Sequence, residues 1–287
     1  MRQQKTRLFV IIDPTAEHQV ALVKAFLIAK LGDCHIHASL CIHKSLDEAG
    51  EYSSRKDFKR RTLAEAKTWL ETLMQPCRVG DVPYTTEVIW NSKWVESSLR
   101  AAKKAGCDLM IKSSFHHSKA RRFFSKTADY YLMQNCPSPI LFTDQGQDWK
   151  SDRILACLDL ESDDPYHARL NELIMRDARA FAEIVGMDLY IACAYTDGID
   201  SEQLALKSHG HNVSREQQLG ELYGLDPARV LLRQGGIVDT LQTICKLIDP
   251  SIVVMGTLAR HGIKGKLIGN TAEKLLDILE ADMLTVN

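Results

Sequence analysis

The chain has 287 residues, of which 45% are hydrophobic and 25% are charged, and its formal net charge at pH 7 is −1. This balance is typical of a globular protein and excludes disorder, collagen-like repeats and a small disulfide-stapled scaffold. Because no strong positive charge and no apolar run of about 18–20 residues is present, we expect neither nucleic acid nor membrane as a partner. No signal peptide precedes the first apolar run, so the eight scattered cysteines are expected to be reduced thiols in a cytoplasmic protein.

The first predicted elements are a strand, a helix and a second strand. An apolar run at 8–13 ends at Asp13, and a second run covers Ile36–Ile42. Between them, apolar residues recur at three- and four-residue steps, which predicts a helix whose buried stripe is Val20, Val23, Leu27 and Leu31. The histidines of the second strand share one face with Cys41, namely His35, His37 and His43. That set spans about 26 Å, so ordinary strand histidines are favoured over a metal site.

A long segment at 44–83 follows, and a segment of this length is expected to contain a helix that covers the carboxyl edge of the sheet. Its apolar periodicity predicts an amphipathic helix through Thr62, Ala66, Trp69, Leu70 and Leu73. Two more strands are predicted at 108–111 and at Pro139–Thr143, with a helix between them.

The second half repeats this order of elements. A strand at 154–159 ends at Asp159, 146 residues after Asp13, and a strand at 252–255 matches 108–111 at an offset of 144. Its first helix carries the stripe Leu170, Ile174, Ala178, Phe181 and Val185, and Leu267 and Ile268 are placed on its last helix. Strands alternating with helices predict two tandem doubly wound α/β domains, 1–146 and 147–287, each a mostly parallel five-stranded sheet flanked by helices.

The strongest local signal is a glycine-rich loop that begins where the fourth strand of the second half ends. Glycines at 256, 262, 265 and 269 leave backbone N–H groups open to one ligand, and Gly269-Asn270-Thr271 is expected to open a helix whose N-terminus favours a phosphate. The spacing excludes a Walker loop, a dinucleotide fingerprint and a serine-hydrolase elbow. The equivalent run of the first half, 112–127, contains no glycine. We therefore expect a ligand site in the second half and a scaffold in the first.

These residues resemble the universal stress protein family, whose nucleotide-binding members carry Gly-x2-Gly-x9-Gly-Ser/Thr after the fourth strand. Gly256 and Gly269 fall on the first and third glycine positions, while Ala259 and Asn270 depart from the pattern at the second glycine and at the Ser/Thr. The resemblance implies an adenine nucleotide such as ATP, with or without Mg²⁺, and a stress-response role through binding. It also implies that Asp159 contacts the adenine side.

The predicted ligand-binding residues are Asp159, Gly256, Thr257, Arg260, Gly262, Gly269, Asn270 and Thr271. No residue pattern indicates a catalytic base, a nucleophile or a resident metal, so we expect at most slow ATP hydrolysis and no dedicated enzyme.

Alternative functions remain open at this point. A protein-interaction or assembly module without a small ligand would fit the glycine-free first half and Ala259. A non-nucleotide ligand, phosphorylated or partly apolar, could instead lie beneath the segment 196–229. The family resemblance further implies pairing of the last strands, Pro139–Thr143 and Met283–Val286, as an intramolecular pseudo-dimer, and a homodimer is also possible.

Overall fold

The computed structural model describes residues 5–45, 54–114, 128–143, 148–162, 164–195, 214–259, 267–268, 275, 278–279 and 281–287. The chain divides into two compact units, Met1–Gln145 and Gly146–Asn287. Among the helices of these described segments, none is long and apolar enough to cross a membrane.

Unit 1 alternates strands and helices. Its elements are β1 (Thr6–Ile12), α1 (Val20–Leu31), β2 (Cys34–Ile42), α2 (Arg55–Leu73), α3 (Gln75–Val79), β3 (Tyr84–Trp90), α4 (Trp94–Ala105), β4 (Leu109–Ser113) and β5 (Ile140–Thr143). Residues 128–135 are also helical. The strands pair in the order β3-β2-β1-β4-β5, and every described ladder is parallel. The amphipathic helix predicted in the long segment is confirmed as α2, which buries Thr62 and Leu70.

Unit 2 repeats the plan. Its elements are β6 (Arg153–Cys157), α5 (Pro165–Val185), β7 (Asp188–Tyr195), α6 (Arg215–Tyr223), a 3₁₀ turn (Pro227–Arg229), β8 (Val230–Gln234), α7 (Ile237–Ile248), β9 (Ile252–Gly256), β10 (Leu258–Ala259), β11 (Leu267–Ile268) and β12 (Asp282–Val286). Its main sheet has the order β12-β9-β6-β7-β8, again with parallel ladders. The predicted doubly wound α/β class is therefore confirmed for both units.

Strand composition explains why the central strands of each sheet are buried. Leu8, Val10, Ile154 and Leu155 are entirely buried, as continuous apolar runs must be when helices cover both faces. In both units the strand order reverses beside the first strand. The crevice at the carboxyl ends of the strands there is where ligands bind in such sheets.

The predicted helical stripe is confirmed in α5 and wrong in α1. All five predicted residues of α5 are buried, from Leu170 to Val185. In α1 the buried face is Ala21, Leu22, Lys24, Ala25 and Ile28, while Val23 and Leu31 are exposed by 55% and 59%. Apolar residues occupy nearly every position of this helix, so their spacing alone did not select a face.

Two further details of the repeat differ from the prediction. Leu267 and Ile268 pair antiparallel with Leu258 and Ala259 as β11 and β10, so they lie in a strand and not on the last helix. The fourth strands, Leu109–Ser113 and Ile252–Gly256, correspond at an offset of 143 and not 144. Equivalent hydrogen bonds fix this register, since Ser114 N–H donates to Thr143 O and Thr257 N–H donates to Val286 O. Ser113 is thus the structural counterpart of Gly256.

Candidate functional site

Asp159 follows β6 at the carboxyl edge of the unit 2 sheet and is held there by a buried amide. The Asp159 N–H donates to Asn171 Oδ1 at 3.1 Å, and Asn171 Nδ2 donates to the Asp159 carbonyl at 2.6 Å. Asn171 lies on α5 and is only 6% exposed. Because both backbone groups of Asp159 are bonded to this buried amide, the backbone at the end of β6 is anchored to α5 before any ligand arrives.

The carboxylate of Asp159 is also bonded by its neighbours. Its Oδ1 accepts the Glu161 N–H at 3.1 Å, and its Oδ2 lies 2.7 Å from Nδ1 of His167. The Asp159 side chain nevertheless remains 46% exposed. Each carboxylate oxygen can accept a second hydrogen bond, so the group can still receive donors from a ligand.

A cavity of about 400 Å³ opens beside Asp159 at the carboxyl ends of β6, β7 and β8. Its strand-end wall includes Cys193, Ala194, Tyr195 and Leu232. Its helical walls are the first turns of α5 and one face of α6; the described residues that form them are Asp164, Pro165, Ala168, Asn171, Glu172, Arg215, Gln218, Leu219, Leu222 and Tyr223. This volume lies within the about 300–1,000 Å³ of small-molecule sites. The helix expected in the segment 196–229 is therefore present as α6, and it forms one wall of this cavity.

Two ionisable side chains of the cavity wall have raised pKa values. Burial raises the pKa of the Cys193 thiol to about 12, and burial also raises the pKa of the Tyr223 hydroxyl. A thiol with so high a pKa stays protonated near neutral pH and is a poor nucleophile.

Gly256 and Thr257 begin the predicted phosphate loop. They are not among the described residues that line the cavity. A Cβ at Gly256 would lie 2.5 Å from Cδ2 and 2.9 Å from Cγ of Leu170, so this glycine permits α5 to pack against β9. Thr257 is 1% exposed, and its N–H and hydroxyl both contact Val286 at the end of β12. The hydroxyl also contacts the side chain of Asn287. Both residues therefore have packing roles that need no ligand.

The other predicted loop residues, namely Arg260, Gly262, Gly269, Asn270 and Thr271, lie outside the described residues. Their roles stay predictions. Of the predicted set, Asp159 lines the cavity, and the residues that surround it there were not predicted. Asn171 and His167 carried no motif signal, because their partner lies 12 and 8 residues away in sequence and the pairing depends on how α5 meets β6.

At the equivalent strand ends of unit 1, side chains of the same unit form hydrogen bonds and an ion pair. Asp13 is held by Gln19 as Asp159 is held by Asn171, with hydrogen bonds of 3.1 and 2.7 Å, but its Oδ1 accepts both the N–H and the hydroxyl of Thr15. Beyond β4, the ammonium of Lys112 lies 2.8 Å from Oδ1 of Asp129, and these side chains are 8% and 3% exposed. The scaffold role expected of unit 1 stays a prediction.

The strand histidines of unit 1 form hydrogen bonds with β3. His35 Nε2 and His37 Nδ1 lie 3.0 and 2.8 Å from Oγ1 of Thr85, and His37 Nε2 lies 3.2 Å from Oε1 of Glu87. Within the described part of the chain, no group of three or more His, Cys, Asp or Glu side chains is arranged to hold a metal ion.

Comparison with known proteins places this architecture in a family. Residues 6–143 match the model of the universal stress protein family. Universal stress protein E of Escherichia coli K12 is 24% identical over 97% of this chain and 93% of its own length. Its homologue in Haemophilus influenzae is 21% identical, over 97% and 96% of the two chains.

Solved structures share the fold over the whole length. A functionally unknown protein of Pseudomonas aeruginosa PAO1 superposes with a TM-score of 0.75 at 26% identity, over 98% of this chain and 92% of its own. A universal stress protein of Archaeoglobus fulgidus superposes with a TM-score of 0.69 at 12% identity, over 99% and 97% of the two chains. Residues 6–143 therefore form a universal stress protein family domain, unit 2 repeats the same fold, and the chain is similar over its whole length to the tandem E-type members of that family.

Proposed function

We propose that unit 2 binds an adenine nucleotide or a related phosphorylated ligand, and that the chain acts in the stress response through this binding in the cytoplasm. The observation that carries the proposal is the position of Asp159. Asn171 holds the Asp159 backbone, and the partly exposed carboxylate lines a cavity of ligand size at the carboxyl ends of β6, β7 and β8. A carboxylate accepts the donors that an exocyclic amine or a ribose hydroxyl offers.

The phosphates would lie on the glycine-rich loop that follows β9. Free N–H groups of a loop and of a helix N-terminus favour anions, and glycine allows the backbone to approach them. This half of the proposal rests on the sequence from Gly256 to Thr271. Binding would position and retain the ligand, and the cavity side chains supply no activated nucleophile.

Native mass spectrometry of freshly purified protein, followed by calorimetry with ATP, ADP and AMP, tests the proposal. We expect one nucleotide per chain. Asp159→Asn should weaken binding, and Gly269→Asp should abolish it by placing charge and bulk beside the phosphates. Asp13→Asn is the matched control, because it changes the equivalent strand end of unit 1. No heat with ATP at millimolar concentration, together with no copurifying ligand, would contradict the proposal.

A second candidate is favoured by α6 itself. Because Leu219 and Leu222 of this helix line the cavity, a non-nucleotide ligand that is partly apolar would fit beneath the segment 196–229. A ligand that copurifies with the protein and lacks an adenine ring would support this second candidate over the first.

A further inference from the structure

The cavity of unit 2 has an apolar wall that a phosphate does not need. Ala168 on α5, Leu219 and Leu222 on α6, and Leu232 on β8 all face it. Leu222 is 57% exposed, although it lines a concave surface. Covering such carbon atoms contributes about 25 cal/mol per Å² of apolar surface removed from water, so a ligand with an apolar body gains affinity here.

The charge of the same cavity is predominantly negative. Among the described residues that line it, three carry carboxylates, namely Asp159, Asp164 and Glu172, and one, Arg215, carries a guanidinium. That guanidinium lies 5.8 Å from the centre of the Tyr195 ring, where the π-face already attracts it. An anionic group placed in the cavity would therefore meet more repulsion than attraction, whereas a cationic group would meet the reverse.

The carboxylates of the cavity can accept hydrogen bonds from a donor group of a ligand. Asp159 lies at the strand end, where its Oδ1 accepts the Glu161 N–H and its Oδ2 lies 2.7 Å from His167 Nδ1, and each oxygen keeps one further acceptor position. Glu172 is an exposed residue one helical turn beyond Ala168 on the same face of α5. Asp164 is partly committed, because its Oδ1 accepts the Tyr166 N–H and so caps α5. Two carboxylates thus flank the apolar wall.

We propose that this cavity binds a small molecule with an apolar body and a protonated amine, that is, an aryl- or alkylammonium ligand. The apolar body packs between Ala168 and Leu222, and the ammonium group donates to Asp159 and Glu172. The proposal does not depend on nucleotide binding, which uses the loop after β9 for its phosphates, although the two ligands share Asp159.

The test compares two probes that share one aromatic body, tryptamine and indole-3-propionate. Binding to the full chain is measured by saturation-transfer NMR and calorimetry near pH 7. We expect tryptamine to bind up to about fivefold more tightly, which is the upper end of what one exposed ion pair contributes. Equal binding, tighter binding of the propionate, or no binding of either probe would overturn the proposal.

Substitutions on α5 locate the site, with one on α6 in reserve. Ala168→Trp should fill the cavity and remove tryptamine binding, whereas Arg169→Trp, at the exposed neighbouring position, should leave it unchanged. Glu172→Gln should weaken tryptamine up to about fivefold and should not weaken indole-3-propionate, because it also removes a charge that repels the propionate. If Ala168→Trp does not fold by circular dichroism, Leu222→Lys at an exposed position replaces it and should reverse the preference between the two probes. Unchanged tryptamine binding in the folded cavity variant would refute the assignment.

A separate ATP titration of the same samples keeps the two proposals distinct. ATP binding without tryptamine binding would refute the ammonium site and leave the nucleotide proposal standing. Tryptamine binding without ATP binding would refute the nucleotide proposal and leave the ammonium site standing.

Discussion

Replacing Gly256 by alanine tests whether this glycine exists for packing. The new Cβ would lie 2.5 Å from Cδ2, 2.9 Å from Cγ and 3.2 Å from Cδ1 of Leu170. Leu170 is itself 8% exposed, so its side chain has little room to turn away. β9 and α5 must then separate slightly, and overpacking of this kind costs about 1–3 kcal/mol of unfolding free energy.

A double-mutant cycle with Leu170→Ala isolates this contact. The single Leu170→Ala variant should lose about 2–5 kcal/mol, because it leaves a cavity in the core. In the double variant the methyl group at position 256 occupies part of that cavity. The combined loss should therefore be smaller than the sum of the single losses, with a coupling of about 1–2 kcal/mol.

Urea unfolding without nucleotide, followed by hydrogen exchange of the β9 amides, measures these losses. Ser113→Ala in unit 1 is the matched control, because Ser113 holds the equivalent strand position and accepts the Ala21 N–H at 3.1 Å. It should cost about 1 kcal/mol through that lost hydrogen bond and show no coupling with Leu170→Ala. Additive losses in the Gly256 and Leu170 cycle would refute the packing explanation for the glycine.

Three further predictions concern the strand ends and the thiols. Lys112→Met removes the cation beside the buried Asp129 carboxylate and should cost about 3–5 kcal/mol in urea unfolding, most of which Asp129→Leu should restore in the double variant. Asn171→Ala releases the backbone of Asp159 and should cost about 1–3 kcal/mol while raising the Kd for ATP in calorimetry. Burial raises the pKa of Cys193 and of Cys245 to about 12, above the about 8.5 of an unfolded thiol. The folded state therefore binds these protons more tightly, so this stabilisation is complete below about pH 8.5 and declines as the pH rises towards 12. Urea titrations between pH 7 and 10 should show that decline, and the buried Cys193 thiol should react with a disulfide reagent only after unfolding.

The fold could be predicted from the sequence because its signals are local. Apolar runs such as 154–157 are buried strands wherever helices cover both sheet faces, and α5 separates an apolar stripe from charged residues. The face of α1 could not be predicted in the same way. Lys24 is 2% exposed in that helix while Val23 is 55% exposed, so polarity does not mark the solvent side there.

The candidate site likewise contains one residue that could be predicted from the sequence and others that could not. Asp159 could be predicted, because an acidic residue that follows a buried strand lies at the carboxyl edge of the sheet. The Asn171 amide and the wall formed by Leu219 and Leu222 could not, since each depends on the angle at which a helix packs against strands that are distant in sequence. Tertiary packing, and not a motif, shapes the part of the site that would select the ligand.

The two units differ at one strand position that decides how the neighbouring helix packs. Ser113 accepts a hydrogen bond from the first turn of α1, whereas Gly256 provides the space in which Leu170 of the longer α5 packs. That longer helix has 21 residues where α1 has 12, and its N-cap Asp164 together with Ala168 and Glu172 of its first turns contributes to the cavity wall. In the proposed binding of a ligand by unit 2, the glycine would contribute through the helix that it admits, whether or not its own N–H contacts a phosphate. Ligand specificity in unit 2 should accordingly respond more to changes on α5 and α6 than to substitution of Thr257, whose polar groups already bond to the end of β12.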